Sequence, residues 1–393
     1  MLKKTAAALA LGFSLAAALS STALAEGTVK IGLIMPYSGP FADAGAQMQA
    51  GIDLYVKEHG DEVAGKKIVL IKKDTGGPNP DVAKRLAQEL VVRDHVDVLA
   101  GFALTPEALG AAPVATEAKK LMVDMNAATS IITEKSPYIV RTSVTIPQIN
   151  YAFGKWAADQ GIKHAYTLVA DYGPGHDAES SFAKGFKEKG GEIVGADHSP
   201  VANPDFSAYV QRIKDAKPEA VYIFIPGGSQ PAAIGKALAD KGLTPPNTKL
   251  LGQGELTMPD AMESLGKNAD GIITAFHYTL ERKDPLNQKF VAGYKNLTKG
   301  REPDLFSIGG YDGMHLIYAA LKKTKGDASG DALIKVAKGM SWESPRGPIT
   351  IDPETRDIVQ NVYIRKVEKV DGKLQNVIID TIKDVKDPLH GAK

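Results

Sequence analysis

Two short stretches set hydroxyl groups among residues small enough to let another molecule approach the backbone. In "LMVDMNAATSII" (residues 121–132) an apolar run ends at Met125 and gives way to Asn126-Ala127-Ala128-Thr129-Ser130. In "VDVLAGFALTPEALG" (residues 96–110) a second run ends at Ala100-Gly101-Phe102 and leads to Leu104-Thr105-Pro106-Glu107. A threonine hydroxyl and the free N–H groups of a helix start are donors, and donors gathered at one point suit an anion. Two such corners can share one carboxylate. The plainer alternative is that each is an ordinary helix start, with Thr105 as N-cap, Pro106 at the first helical position and Thr129 capping a second helix.

Other chemistry is thinly represented. "LGQGELTMP" (residues 251–259) ends a strand with Glu255, a carboxylate that can meet a ligand ammonium or simply face water. "LVADYGPGHDA" (residues 168–178) resembles a dinucleotide turn, but Pro174 and His176 spoil the pyrophosphate cradle; a loop presenting Tyr172 to a cleft fits better. "GGSQPAAIGKA" (residues 227–237) has the wrong glycine spacing for a phosphate loop, and Ala237 stands where Ser or Thr is needed. The eight histidines are scattered, with no H-E-x-x-H and no close pair, which argues against a metal site. With no G-x-S-x-G elbow either, the expectation is a binding protein with no catalytic residue and no cofactor.

Strand-like runs alternate with helix-length amphipathic runs. Strands are expected at Lys30–Pro36, Lys67–Lys73, Val96–Phe102 and Leu121–Met125, with helices near Gly45–Lys57, Asp81–Arg93 and Pro106–Lys119 between them. The rhythm resumes after Arg141. Strands follow at Ala165–Asp171, Glu192–His198, Ala220–Pro226, Lys249–Gly252 and Gly271–His277, with helices near Ala178–Lys189, Phe206–Ala216 and Pro231–Lys241. This spacing means βαβ units and parallel sheets, hence two doubly wound α/β lobes. The tail differs: Asn361–Val370 and Lys373–Thr381 flank an Asp371-Gly372 hairpin turn. In an open parallel sheet, ligands sit beyond the carboxyl ends of the strands, which is where both hydroxyl-bearing corners fall.

The chain has 393 residues, 44% of them hydrophobic and 24% charged, enough for two packed lobes. Lys3 and Lys4, the apolar run Ala6 to Ala18 and Ala23-Leu24-Ala25 read as a signal peptide cleaved after Ala25, which implies export to the periplasm. Its apolar run is too short for a span, and no later run reaches the ~18 residues that a span needs. Loss of the two lysines takes 47 basic residues to 45 against 46 acidic ones. That balance argues against nucleic acid or an anionic membrane as partner, and with no run of span length direct membrane insertion is not expected. The absence of cysteine removes disulfides, thiol catalysis and a lipid-anchored N-terminus together.

Several motifs in their order resemble the leucine/isoleucine/valine-binding family of ABC-transporter solute-binding proteins, over nearly the whole mature chain. They are "KIGLIMPYSGPFADAG", "KDTGGPNPDVAKRLAQELV", "GFALTP", "NAATS", "SPYIVRTS", "DYGPG" and "SPRGPITIDPETRDIVQNVYI". The resemblance implies a type I periplasmic binding protein: two Rossmann-like lobes joined by three hinge crossovers near Thr142–Ile146, Phe276–Tyr278 and Asp352–Asp357. It divides the chain into 26–143 plus 278–352 and 146–276 plus 356–393. It carries a ligand-carboxylate site onto Thr105, Ala127, Ala128 and Thr129, a cleft tyrosine onto Tyr172, an ammonium partner onto Gln253–Glu255, and a side-chain pocket onto Ala44 and Phe306.

The pattern departs from the family in three places. Ala44 replaces an aromatic residue, Gly76 and Leu104 stand near the positions of a lobe disulfide, and the glutamate is displaced by one residue. A small Ala44 with Phe41, Phe102, Tyr172 and Phe306 nearby leaves room for a larger or aromatic acid. The implied function is a monomeric protein that carries a small carboxylate, foremost an apolar amino acid, to an inner-membrane ABC permease. The alternatives are a carboxylic acid without the amine, or the ligand-binding subunit of a sensor.

Overall fold

The computed structural model describes residues 27–226 and 230–390. The signal-peptide reading and part of the rejected phosphate loop lie outside them. The first sheet has six strands: β1 (Thr28–Met35), β2 (Glu62–Val63), β3 (Lys66–Asp74), β4 (Val98–Gly101), β5 (Leu121–Asp124) and β6 (Ile139–Arg141), in the order β2-β3-β1-β4-β5-β6. The second has nine: β7 (His164–Ala170), β8 (Glu192–Ser199), β9 (Ala220–Phe224), β10 (Lys249–Gln253), β11 (Ile273–Phe276), β12 (Ser341–Ser344), β13 (Gly347–Ile351), β14 (Ile358–Val370) and β15 (Lys373–Val385). Its main path runs β12-β13-β14-β11-β10-β9-β7-β8, and β15 pairs with β14.

Each sheet repeats one parallel pattern. In the first, β3 and β4 flank β1; in the second, β8 and β9 flank β7. The chain therefore moves outward in opposite directions from β1 and from β7. The helices on either side diverge there, opening a crevice at the carboxyl ends of β1/β4 and of β7/β9.

Both faces of both sheets are covered. Ile31, Leu33, Val98 and Val123 pack under the helices Ala42–His59 and Leu305–Lys323. Ile34, Leu99 and Met122 pack under the helices Pro80–Val92 and Thr105–Glu117. The second sheet divides its side chains in the same way between two cores. Burial on both faces explains why these strands read as continuous apolar runs. The chain passes between the first sheet's core and the second's three times. Val140 belongs to one and Val144 to the other; Phe276 and Tyr278 are divided likewise, as are Ile351 and Val362. Strands β12 and β13 straddle the boundary: they pair into the second sheet, while Met340 and Ile351 bury themselves in the first core.

The tail hairpin forms as the sequence indicates. Val370 pairs with Lys373, and Asp371 and Gly372 both take positive φ, 49° and 83°, as a two-residue type I′ turn requires. Four short strands lacked a sequence signal: β2, β6, β12 and β13. So did the helix Ile146–Asp159, although Thr145 caps it by accepting from the Gln148 N–H at 3.1 Å and Pro147 lies in its first turn. No helix among the described residues is long and apolar enough to cross a membrane.

Candidate functional site

The first wall is made where β4 and β5 end. Gly101 and Phe102 both take positive φ, 107° and 65°, and turn the chain sharply. A Cβ at Gly101 would lie 2.7 Å from the Ile34 carbonyl oxygen, so only glycine fits. The turn drives the Phe102 side chain into the apolar core with Ile34, Leu90 and Met122, where it has no exposure. Phe102 is therefore not part of a cleft wall, contrary to the sequence reading. Its carbonyl instead accepts the Ala127 N–H at 3.0 Å. Ala127 is corrected too: its N–H is spent inside the lobe and its methyl is buried in the same core, so it has nothing to offer a ligand.

The two corners are stitched together. Met125 N donates to the Gly101 carbonyl at 2.9 Å, and Asn126 Nδ2 to the Ala103 carbonyl at 2.8 Å. The helix begins at Thr105 itself, with Leu104 in the N-cap position. Glu107 accepts the Leu104 N–H at 3.0 Å and the Thr75 hydroxyl at 2.5 Å, and burial pushes its carboxyl up to about 7. Thr105 thus has no capping duty. Nor does Thr129, which precedes a short 3-10 turn, Ser130–Lys135, rather than a helix and makes no side-chain cap. The two hydroxyls meet at 2.8 Å instead. Beside them the Ser130 hydroxyl is buried without a hydrogen-bond partner. The helix-cap alternative fails at both corners, and what remains is a pair of hydroxyls.

A residue absent from the sequence reading holds this cluster in place. Arg141, fully buried, donates through Nη2 to the Thr129 carbonyl at 2.7 Å and through Nη1 to the Val144 carbonyl at 3.4 Å. Its Nε lies 3.2 Å from Asp357 and 3.5 Å from Asp124. Burial raises the Asp124 carboxyl to about 7, against the pull of Arg141. A lone arginine in so short a strand as Ile139–Arg141 gives no pattern to read.

The second wall is aromatic with one acid. Tyr172, half-buried, immediately precedes the helix Gly173–Glu188, and its ring lies 6.3 Å from that of Phe224. Burial and, after it, the negative charge of Glu255 raise the Tyr172 hydroxyl well above its ordinary range, so the two groups share one space. Glu255 sits in the 3-10 turn Gly254–Thr257 that follows β10. It is partly open to the cleft, has no hydrogen bond or ion pair among the described residues, and is raised to about 7 by burial alone. Phe306, in the first turn of Leu305–Lys323, packs against the cores of both sheets. Ala128, next to Thr129, packs against the core that also carries Tyr172 and Phe306. Ala44 is buried early in the helix Ala42–His59.

The glycines of "YGPG" have a packing reason. A Cβ on Gly175 would lie 2.0 Å from the Ala170 carbonyl oxygen, so the helix can sit this close to β7 only with glycine there. His176 and His198, 22 residues apart in sequence, have ring centroids 4.7 Å apart. The end of β8 and the first turn of the helix after β7 bring them together.

This architecture has known counterparts. Residues 28–373 match the family model of the periplasmic binding proteins. The chain belongs to that family, whose members are solute-binding components of ABC transporters. A Leu/Ile/Val-binding protein homologue of Brucella melitensis is 43% identical over 389 residues, covering 98% of this chain and 99% of that protein. Among solved structures, a solute-binding protein of an ABC transporter from Rhodopseudomonas palustris BisB5, in complex with 3,4-dihydroxybenzoic acid, is 53% identical. It covers 92% of this chain and 99% of its own, with a TM-score of 0.85. Another from strain HaA2, in complex with p-hydroxybenzoic acid, is 42% identical, with 92% and 98% covered and a TM-score of 0.86.

Proposed function

We propose that this protein captures a small aromatic carboxylate, of the hydroxybenzoate kind, and hands it to an inner-membrane ABC permease. The observation that carries the reading is the Thr105–Thr129 hydroxyl pair, 2.8 Å apart and with neither side chain capping a helix. The hydroxyl pair and the Ser130 hydroxyl receive the ligand carboxylate. The rings of Tyr172 and Phe306 receive the ligand ring, with the small Ala44 side chain making room for it. Glu255, raised to about 7 and without a cation, accepts a hydrogen bond from a ring hydroxyl. The ligands of the two Rhodopseudomonas proteins support the same assignment.

The apolar amino acid, foremost in the sequence reading, is the second reading. An unpaired carboxylate at Glu255 favours it, because a ligand ammonium would supply the missing charge, and the Brucella homologue's name points the same way. We assign the lobes as the resemblance implies, to 26–143 plus 278–352 and 146–276 plus 356–393. Closure bends the chain at the three passages between cores. A thermal-shift panel of 3,4-dihydroxybenzoate, 4-hydroxybenzoate, benzoate and leucine separates the two readings. A ligand present at 100 times its Kd adds about 2.7 kcal/mol to stability. Stabilisation by leucine and by none of the aromatic acids would overturn the proposal.

A further inference from the structure

Outside the cleft, one cluster of side chains among the described residues has the composition of a metal site. The parallel pairing of β7 with β8 sets Val169 opposite His198 and Ala170 opposite Ser199, and the Asp171 N–H donates to the Ser199 carbonyl at 2.8 Å. Two adjacent strand ends therefore deliver Asp171 and His198 side by side. The first turn of the helix Gly173–Glu188 adds His176, whose Nε2 lies 2.9 Å from Asp171 Oδ1. The imidazole planes of His176 and His198 stand at 87° to each other. All three residues are exposed, and each offers one ligand atom within 4.8 Å of the others.

We propose that Asp171, His176 and His198 bind a divalent transition-metal ion of the Zn²⁺ class. Two imidazoles and a carboxylate suit such an ion, and water would complete a tetrahedron. Bonds of about 2.1 Å would place ligand atoms ~3.4 Å apart, so the cluster must contract by at most about 1.4 Å. Exposed side chains can do this by rotating about χ1 and χ2. His198 already has an outer partner: Glu179 Oε2 lies 2.7 Å from its Nε2, and Glu179 is itself fixed by the Thr167 hydroxyl at 2.5 Å. That leaves Nδ1 of His198 for the ion, with a carboxylate orienting the ring as second partners of metal-bound histidines do. The site is one residue from Tyr172 but shares no side chain with the cleft, so it stands apart from the carboxylate proposal.

The test uses the mature, tag-free protein stripped with a chelator and titrated with ZnCl₂ by calorimetry. One ion should bind per chain, and Co²⁺ in its place should give the visible absorption of a low-symmetry site. His176→Ala and His198→Ala should each weaken Zn²⁺ binding by at least roughly tenfold. Unchanged circular dichroism and melting of the metal-free variants would establish that the fold is intact. The proposal is overturned if no saturable one-to-one binding occurs, or if either variant keeps its affinity within threefold of wild type.

Discussion

The hydroxyl pair gives an asymmetric expectation. Two threonine oxygens 2.8 Å apart share one hydrogen, so only one hydrogen of the two is left for a ligand. Arg141 clamps the Thr129 carbonyl at 2.7 Å, which makes Thr129 the better fixed of the two. In the arrangement we expect, Thr105 donates to Thr129, and Thr129 donates to the ligand carboxylate. Thr129→Val keeps the shape and removes the contact itself. A hydrogen bond to a charged group contributes about 1.5–3 kcal/mol, so affinity should fall roughly 10- to 150-fold. Thr105→Val removes only the supporting bond, worth about 1 kcal/mol, or roughly fivefold. The double variant should then be no weaker than Thr129→Val by more than about 0.5 kcal/mol, because the support has nothing left to support. Calorimetry on the four proteins with 4-hydroxybenzoate reads all three values. Additive losses would mean two independent contacts, and no loss in either single variant would remove the anion site from this corner.

Other expectations rest on neighbouring observations. Burial holds Glu255 at about 7, so the folded protein keeps a proton that the unfolded chain releases near 4.5. That costs stability progressively as pH rises between those values. His277 and His315, held neutral by burial, act in the opposite sense, so the telling quantity is the difference between wild type and Glu255→Gln. The variant should gain stability relative to wild type from pH 4.5 to 7 and keep a constant advantage above, as followed by urea denaturation; a difference independent of pH would contradict the burial of Glu255. Arg141→Met leaves Asp124 and Asp357 buried without their cation and should cost about 3–5 kcal/mol in the same assay, against less than 1 kcal/mol if the pairs are idle. Tyr172→Ala should weaken binding and leave more of the liganded protein open, since a ligand favours closure only through contacts with both walls. Solution scattering should show the radius of gyration fall on saturation in wild type and fall less in the variant. No fall in wild type would refute closure.

Alternation of long apolar runs made the two sheets legible, because strands buried on both faces need no fine pattern. The strands near the passages were not legible, for they are short and their register comes from elsewhere. Ile139–Arg141 has three residues, and β12 and β13 owe their place to β14. At the site, Thr105 and Thr129 are legible as small hydroxyl-bearing corners, and the helix-cap alternative to a ligand role holds at neither. The helix starts at Thr105 with Leu104 as its N-cap, whose N–H Glu107 accepts, so Thr105 lies one residue inside the capping position, and the Thr129 corner leads into a 3-10 turn. Phe102 was misplaced because the reading assumed ordinary backbone. A non-glycine residue at φ 65° reverses the side of the chain on which its ring emerges, and nothing in "GFAL" announces that. Arg141 and the His176–His198 pair escaped for a common reason: their partners are distant in sequence.

The buried arginines give the site a mechanical connection. Arg141 donates to the carbonyl of Thr129 in the hydroxyl corner and to the carbonyl of Val144 in the first passage, and forms an ion pair with the carboxylate of Asp357 beside the third. Arg346, equally buried, donates to the carbonyls of Thr142 and Ser143, and its Nε lies 2.9 Å from Asp312 in the helix Leu305–Lys323. That helix also carries Phe306, the ring that touches both cores. An apolar side chain at either arginine position would leave these carbonyls and carboxylates unsatisfied in the interior, which is far costlier than the ion pair is stabilising. Each guanidinium spreads several donors in a rigid fork, so its partners can shift only together or at the expense of a bond. A bend in the first passage must therefore be felt at Thr129 through Arg141 and at the Phe306 helix through Arg346. The residues we assign to the ligand's acid end and to its ring are thus tied to the same segment of chain.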